Sequence, residues 1–117
     1  MTLQQIAQQL ELAPLNPQVP VDASREVGRA HASDLLSDVL ANAPGGGLLL
    51  TIQVHLNVIA VAVHAGLSAV VFTSGLRPEP EVLERAGLEG LPLFGTREST
   101  FDAAGRLYAL GLRGRSG

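Results

Sequence analysis

The 117-residue sequence contains no cysteine, no tryptophan and no lysine. Without cysteine there is no disulfide, no thiolate nucleophile and no cysteine-ligated zinc or iron–sulfur site. A cysteine-free chain also suits the cytoplasm, where the protein is expected. Without lysine there is no Schiff-base amine and no Walker A lysine, so phosphoryl transfer of the P-loop kind is excluded. The eight basic residues are all arginine, and against 11 acidic residues they leave a net charge of −3. That leaves no basic surplus to hold a phosphate backbone, and nucleic-acid binding is not expected. The opening "MTLQQIAQQLELAP" lacks a basic segment and a long apolar core, so it does not read as a secretory signal.

Apolar residues are abundant, most densely in "LLLTIQVHLNVIAVAVHAG" from Leu48 to Gly66. A membrane span needs about 20 consecutive apolar residues. Gln53, His55 and Asn57 fall in the middle of this run and Gly66 ends it, so no membrane contact is expected. Thr51, Gln53, His55 and Asn57 recur at every second position. Any reading of the chain must explain these polar groups.

Periodicity divides the chain into short elements. Leu3, Ile6, Ala7 and Leu10 mark an amphipathic helix, with Thr2 and Gln5 placed as a capping box. Pro14, Pro17 and Pro20 make the following connector extended, so residues 1–25 form an N-terminal helix and linker. The domain proper is expected over 26–112, with a flexible tail at 113–117. Within it, "EVGRA" from Glu26 is a short strand and "SDLLSDVLANA" is a helix capped by Ser33. Leu48 to Ile52 is a strand, and Leu56 to Ala65 a helix. Ala69 to Thr73 is a β-branched strand. A helix starts near Pro78, a strand covers Leu91 to Gly95, and a last helix is capped by Ser99. Four apolar strands alternating with helices predict a single-domain α/β fold with an open, mainly parallel sheet and helices on both faces.

In such a sheet ligands bind at the carboxyl ends of the strands. The turn from Gln53 to His55 lies there, as do Thr73, Ser74 and Gly75, with Arg77 close behind. His31, Ser33, Thr96, Ser99 and Thr100 follow the other strands. Gln53, His55, Asn57, Thr73, Ser74, Gly75 and Arg77 are therefore the candidate site for a phosphate-bearing or other anionic small molecule. The structural alternative is that Ser, Thr and Asn only cap helices and close turns. A hydrolytic triad of His55, Ser74 and Asp34 lacks a G-x-S-x-G elbow. The three histidines show neither His-x-His nor His-x-x-x-His spacing, so no metal and no cofactor is expected. The helix Leu56 to Ala65 is apolar almost all round, which predicts a homodimer built on it.

With these residues in place, "ASDLLSDVLANA", "LLLTIQVHLNVIAVAV", "GLSAVVFTSGLRPEPEVLERA" and "LPLFGTRESTFDAAGRLYALG" resemble a DRTGG domain over Val27 to Leu112. The family is also similar to the non-catalytic N-terminal domain of HPr kinase/phosphorylase. Its members accompany some bacterial phosphate acetyltransferases and, beside CBS modules, some inorganic pyrophosphatases. The resemblance implies regulation, dimerisation or ligand sensing without catalysis by the domain itself. The family's Asp-Arg pair is replaced by His55 and Leu56, while Thr73 and Gly75 keep two of the Thr-Gly-Gly positions. A ligand-sensing, non-enzymatic domain is thus the leading expectation. A docking module for a larger enzyme, and a small enzyme using His55 as acid–base, are the rivals.

Overall fold

Leu48, Leu49 and Leu50 are all buried, yet they serve two separate cores. Leu48 and Leu50 pack with Ile6 and Leu107, and Leu49 packs with Val39, Ile59 and Val82. This is the period of two of a β-strand covered on both faces. The computed structural model describes residues 1–116. Its elements are α1 (Leu3–Gln9), β1 (Ala13–Pro14), β2 (Ala30–Ala32), α2 (Leu36–Asn42) and β3 (Leu48–Thr51). There follow α3 (Asn57–His64), β4 (Ala69–Phe72), α4 (Pro80–Glu89), β5 (Leu93–Gly95) and α5 (Thr100–Ala109).

The five strands lie in the order β1-β5-β4-β3-β2. β2 to β5 are mutually parallel, as the alternation of strands and helices predicts, and β1 joins β5 antiparallel. The parallel strands follow one another in chain order. Crossovers of one hand then put α2, α3 and α4 on the same face. The chain reverses only after β5, where α5 crosses to the face that α1 covers.

Local chemistry explains most boundaries. Thr2 and Gln5 form the expected reciprocal capping box of α1. Ser99 Oγ accepts the Asp102 amide and starts α5. Pro80 sits in the first turn of α4, and Gly90 ends the helix in the left-handed conformation.

Three expectations shift. The first parallel strand is Ala30–Ala32 rather than 26–30, because Glu26 bridges Thr2 and Arg29 bridges Arg113. Ser33 does not cap α2. Its hydroxyl accepts the Leu35 amide at 3.2 Å, and the cap moves two residues on, to Leu35, so that the helix starts at Leu36. The tail expected from 113 is tied down at its start. Arg113 donates its amide to Gly28 and accepts that of Ala30, both at 3.0 Å, and its guanidinium lies 3.8 Å from the Tyr108 ring centre.

Residues 1–25 share the main core through Leu3, Ile6, Leu10 and Leu12. Asn16 is buried and extends the β1–β5 ladder with its side chain. It accepts the Leu93 amide at 2.8 Å and donates to the Leu91 carbonyl at 2.9 Å. The Leu15 amide still donates to the Leu93 carbonyl at 2.9 Å, and beyond it a side-chain amide supplies the next donor and acceptor. Among the described residues no helix is long and apolar enough to cross a membrane.

Candidate functional site

The polar residues at every second position form a staircase. Thr51 Oγ1 accepts the Gln53 amide at 3.0 Å, Gln53 Oε1 accepts the His55 amide at 3.2 Å, and His55 Nδ1 accepts the Asn57 amide at 3.0 Å. Each side chain caps the backbone two residues on, as in Asx and Ser/Thr turns. The run carries the chain from β3 into α3, whose leading residue Leu56 offers no side-chain cap. A ring nitrogen that accepts an amide proton carries none itself, so the His55 proton sits on Nε2.

The ends of β3 and β4 are polar and buried. Thr51 and Thr73 are fully buried. Thr51 Oγ1 donates to Asp34 Oδ1 at 2.9 Å, and the Ile52 amide donates to the same oxygen at 2.8 Å. The hydroxyls of Thr73 and Thr100 bond each other at 2.6 Å, linking β4 to α5. Beyond Thr73 the chain turns sharply. Ser74 and Gly75 have φ of 60° and 72°, and the Leu76 amide closes the turn on the Thr73 carbonyl at 3.2 Å. Two successive positive φ values define a type I′ turn.

An open cleft of about 460 Å³ lies where the connections after β4 and β5 diverge toward opposite faces of the sheet. Gly75, Leu76 and Arg77 line it from the first connection, and Thr96, Arg97 and Glu98 from the second. Leu10, Glu11 and Ala13 close it from the α1–β1 corner, and Arg106 reaches in from α5. The two connections are joined by backbone hydrogen bonds. The Ser74 amide donates to the Glu98 carbonyl at 2.7 Å, and the Gly75 amide donates to the Thr96 carbonyl at 2.9 Å. Arg106 bonds the Glu98 carboxylate and also the Gln9 carbonyl, the latter at 2.7 Å. Neither Arg77 nor Arg97 makes an ion pair among the described residues.

The residues singled out from the sequence fall into two groups. Gly75, Arg77 and Thr96 line the cleft. Gln53 and His55 lie in the turn after β3, where Gln53 Oε1 and His55 Nδ1 cap the backbone, Asn57 opens α3 with its amide bonded to His55, and Thr73 is buried under Thr100. Ser74 holds the turn that leads into the cleft, and Ser99 caps α5. Arg97, Glu98 and Arg106 escape sequence reading. The only signal for Arg97 and Glu98 is the polar triplet "TRE" directly after β5, and Arg106 reaches the cleft solely through the packing of α5.

His31 lies apart from the cleft. Its Nε2 bonds Asp38 Oδ2 at 2.8 Å, and Asn42 donates to Asp38 Oδ1 at 2.8 Å. The hydrogen bond from Asn42, then those from His31 and Ser33, hold the Asp38 carboxyl at about 2, below its ordinary 3.8. Among the described residues no three His, Asp or Glu side chains converge as a metal site. The triad drawn from His55, Ser74 and Asp34 is not assembled. Asp34 is bonded to Thr51 and Ile52, and His55 Nδ1 to Asn57.

Fold and cleft together define a small single-domain α/β module with a cationic cleft at the carboxyl edge of its sheet. The chain belongs to the DRTGG domain family, whose model matches residues 39–110, more than half of the chain. Its structure is similar to that of the CBS and DRTGG domains of the regulatory region of Clostridium perfringens pyrophosphatase, solved with the activator diadenosine tetraphosphate. The two share a TM-score of 0.67 and 15% identity over 91% of this chain, a likeness of fold. The chain spans 45% of the length of that structure. No curated protein matches it.

Proposed function

We propose that this domain is a non-catalytic regulatory module that senses a phosphate-bearing small molecule in the cleft between the β4–α4 and β5–α5 connections. The observation that carries this reading is the pair Arg77 and Arg97. They stand on neighbouring connections, without ion-pair partners among the described residues, at the mouth of a cleft of ligand size. Guanidinium groups left without carboxylates suit phosphate oxygens, which they bind in bidentate fashion. Membership of the DRTGG family supports a regulatory role, and the structural relative comes from a regulatory region solved with a nucleotide activator. The binding residues in this reading are Gly75, Arg77, Thr96 and Arg97. Gln53, His55 and Asn57 shape the adjoining turn.

The reading extends to a homodimer, now on a different argument. α3 is flanked by α2 and α4, which cover much of its apolar surface. What stays exposed on α2 and α3, including Leu40, Ala41, Asn57, Ala60 and Val63, is uncharged, and the one carboxylate on these helices, the part-exposed Asp38, is bonded to His31 and Asn42. Neighbouring α4 exposes Glu81, Glu84, Arg85 and Glu89. A largely uncharged two-helix surface beside a charged one is the natural place for a second copy of the chain.

Thermal denaturation with inorganic tripolyphosphate tests the binding reading. Ligand at about 100 times its Kd stabilises the native state by about 2.7 kcal/mol, and the midpoint rises accordingly. Replacing Arg77 and Arg97 together by alanine should remove the rise and leave the ligand-free midpoint in place. No rise with the wild-type protein at millimolar tripolyphosphate would end the proposal.

A further inference from the structure

We infer that Glu98 acts as a built-in counter-anion, so that the cleft selects ligands with several linked phosphates over a single phosphate. This rests on the reading of the cleft as an anion site. Three arginines line it, Arg77, Arg97 and Arg106, against two acidic residues, Glu11 and Glu98, of which only Glu98 pairs with an arginine. Only Arg106 is already engaged, by the Glu98 carboxylate and the Gln9 carbonyl. Glu98 is well placed to compete. Its amide donates to Thr96 Oγ1 at 3.2 Å and its carbonyl accepts from Ser74 at 2.7 Å, which fixes its backbone at the cleft wall. Its side chain is about 29% exposed, and among the described residues its carboxylate bonds only Arg106.

Consider a single phosphate. Arg77 and Arg97 satisfy it, and reaching Arg106 as well requires the eviction of Glu98. That exchange trades one anion for another on the same guanidinium and gains little. A polyphosphate anchored on Arg77 and Arg97 is different. Its next phosphate arrives at Arg106 as an intramolecular partner, at the high effective concentration of a tethered group. It wins Arg106 from Glu98 where a free phosphate does not. The cleft therefore reads the number of linked charges, and Glu98 sets the threshold.

Calorimetric titration at fixed ionic strength, with inorganic orthophosphate and inorganic tripolyphosphate as probes, tests this. The wild-type protein should favour tripolyphosphate by at least about tenfold. Glu98→Gln should raise orthophosphate affinity by about fivefold or more and narrow that gap. Glu98→Ala, which removes the same carboxylate without leaving an amide, should repeat the gain. In an Arg106→Ala background neither change should tighten binding. Unchanged or weaker orthophosphate binding in both Glu98 variants would overturn the threshold while leaving the anion site standing. A gain that persists without Arg106 would overturn it too. A wild-type protein that binds neither probe overturns the site and the threshold together.

Discussion

The carboxylate of Asp34 accepts a hydrogen bond from the Thr51 hydroxyl, across 17 residues of sequence, at 2.9 Å. The same oxygen accepts the Ile52 amide, so one exposed side chain ties the approach to α2 onto the end of β3. Thr51 is fully buried, and without Asp34 its hydroxyl loses this acceptor. Asp34→Ala is expected to cost about 1–2 kcal/mol in urea denaturation, given what bonds to charged groups contribute when one partner is removed. Asp34→Asn keeps the accepting oxygen and should recover most of the loss. Equal loss in both variants would show that the charge, and not the hydrogen bonds, matters.

His55 gives the sharpest contrast between turn and ligand site. His55→Ala removes the acceptor of the Asn57 amide and should cost about 1 kcal/mol, as the loss of a helix cap does. It should leave tripolyphosphate binding untouched, whereas Arg97→Ala weakens binding and barely moves stability. Parallel melts with and without the anion separate the two. Loss of binding in His55→Ala would return the turn after β3 to the site.

Asp38 makes stability depend on pH in an acid window. Its folded-state value of about 2 lies below the ordinary 3.8, so the folded state favours the ionised form. The contribution is fully present above about pH 4 and drains away as pH falls toward 2. Denaturation curves of the wild type and Asp38→Asn should differ at pH 5 and converge near pH 2. A constant gap over that range would refute the linkage.

Gly75 should resist replacement for a backbone reason. Its φ is 72°, and an added Cβ would meet no atom within 4 Å. Gly75→Ala therefore isolates the cost of a left-handed residue, about 1 kcal/mol, with no steric clash to confuse it. Because Gly75 lines the cleft, tripolyphosphate affinity should fall with it. A neutral effect on the unfolding free energy would mean that the turn has rearranged.

Val63 is the probe for association, since it is 40% exposed while Val61 is half-buried. Sedimentation at micromolar concentration should show a dimer for the wild type and a monomer for Val63→Glu, with a cooperative melt whose midpoint is lower only by the stabilisation that association supplied. A monomeric wild type would remove the homodimer.

The parallel sheet was legible because strands buried on both faces read as apolar runs, and "LLLT" and "AVVF" do. α1 and α5 were legible through Thr2, Gln5 and Ser99, whose capping chemistry is local. Two things were not. Leu35 is 65% exposed although it belongs to an apolar helical pattern, because Ser33 and Asp34 turn the chain first and delay the helix. The cleft was half visible. Gly75 and Arg77 follow a recognisable strand, but Arg97 and Arg106 become neighbours only through the change of face after β5. The alternation Thr51, Gln53, His55, Asn57 looked like a site because side-chain caps and ligand groups use the same residue types.

The pairing of β1 with β5 sets an order of events. β2, β3, β4 and β5 can be laid down one after another as the chain emerges, each beside the strand before it. β1 cannot join them, because its partner is the last strand to appear. α1 can meet Glu26, Val27 and Leu48 earlier, but the β1 pairing forms last among the strands, after a long loop has been closed. The α1–β1 corner carries Leu10, Glu11 and Ala13, which wall the cleft. A chain still on the ribosome, or one cut before β5, thus holds an incomplete cleft, and the capacity to bind appears only when folding is finished.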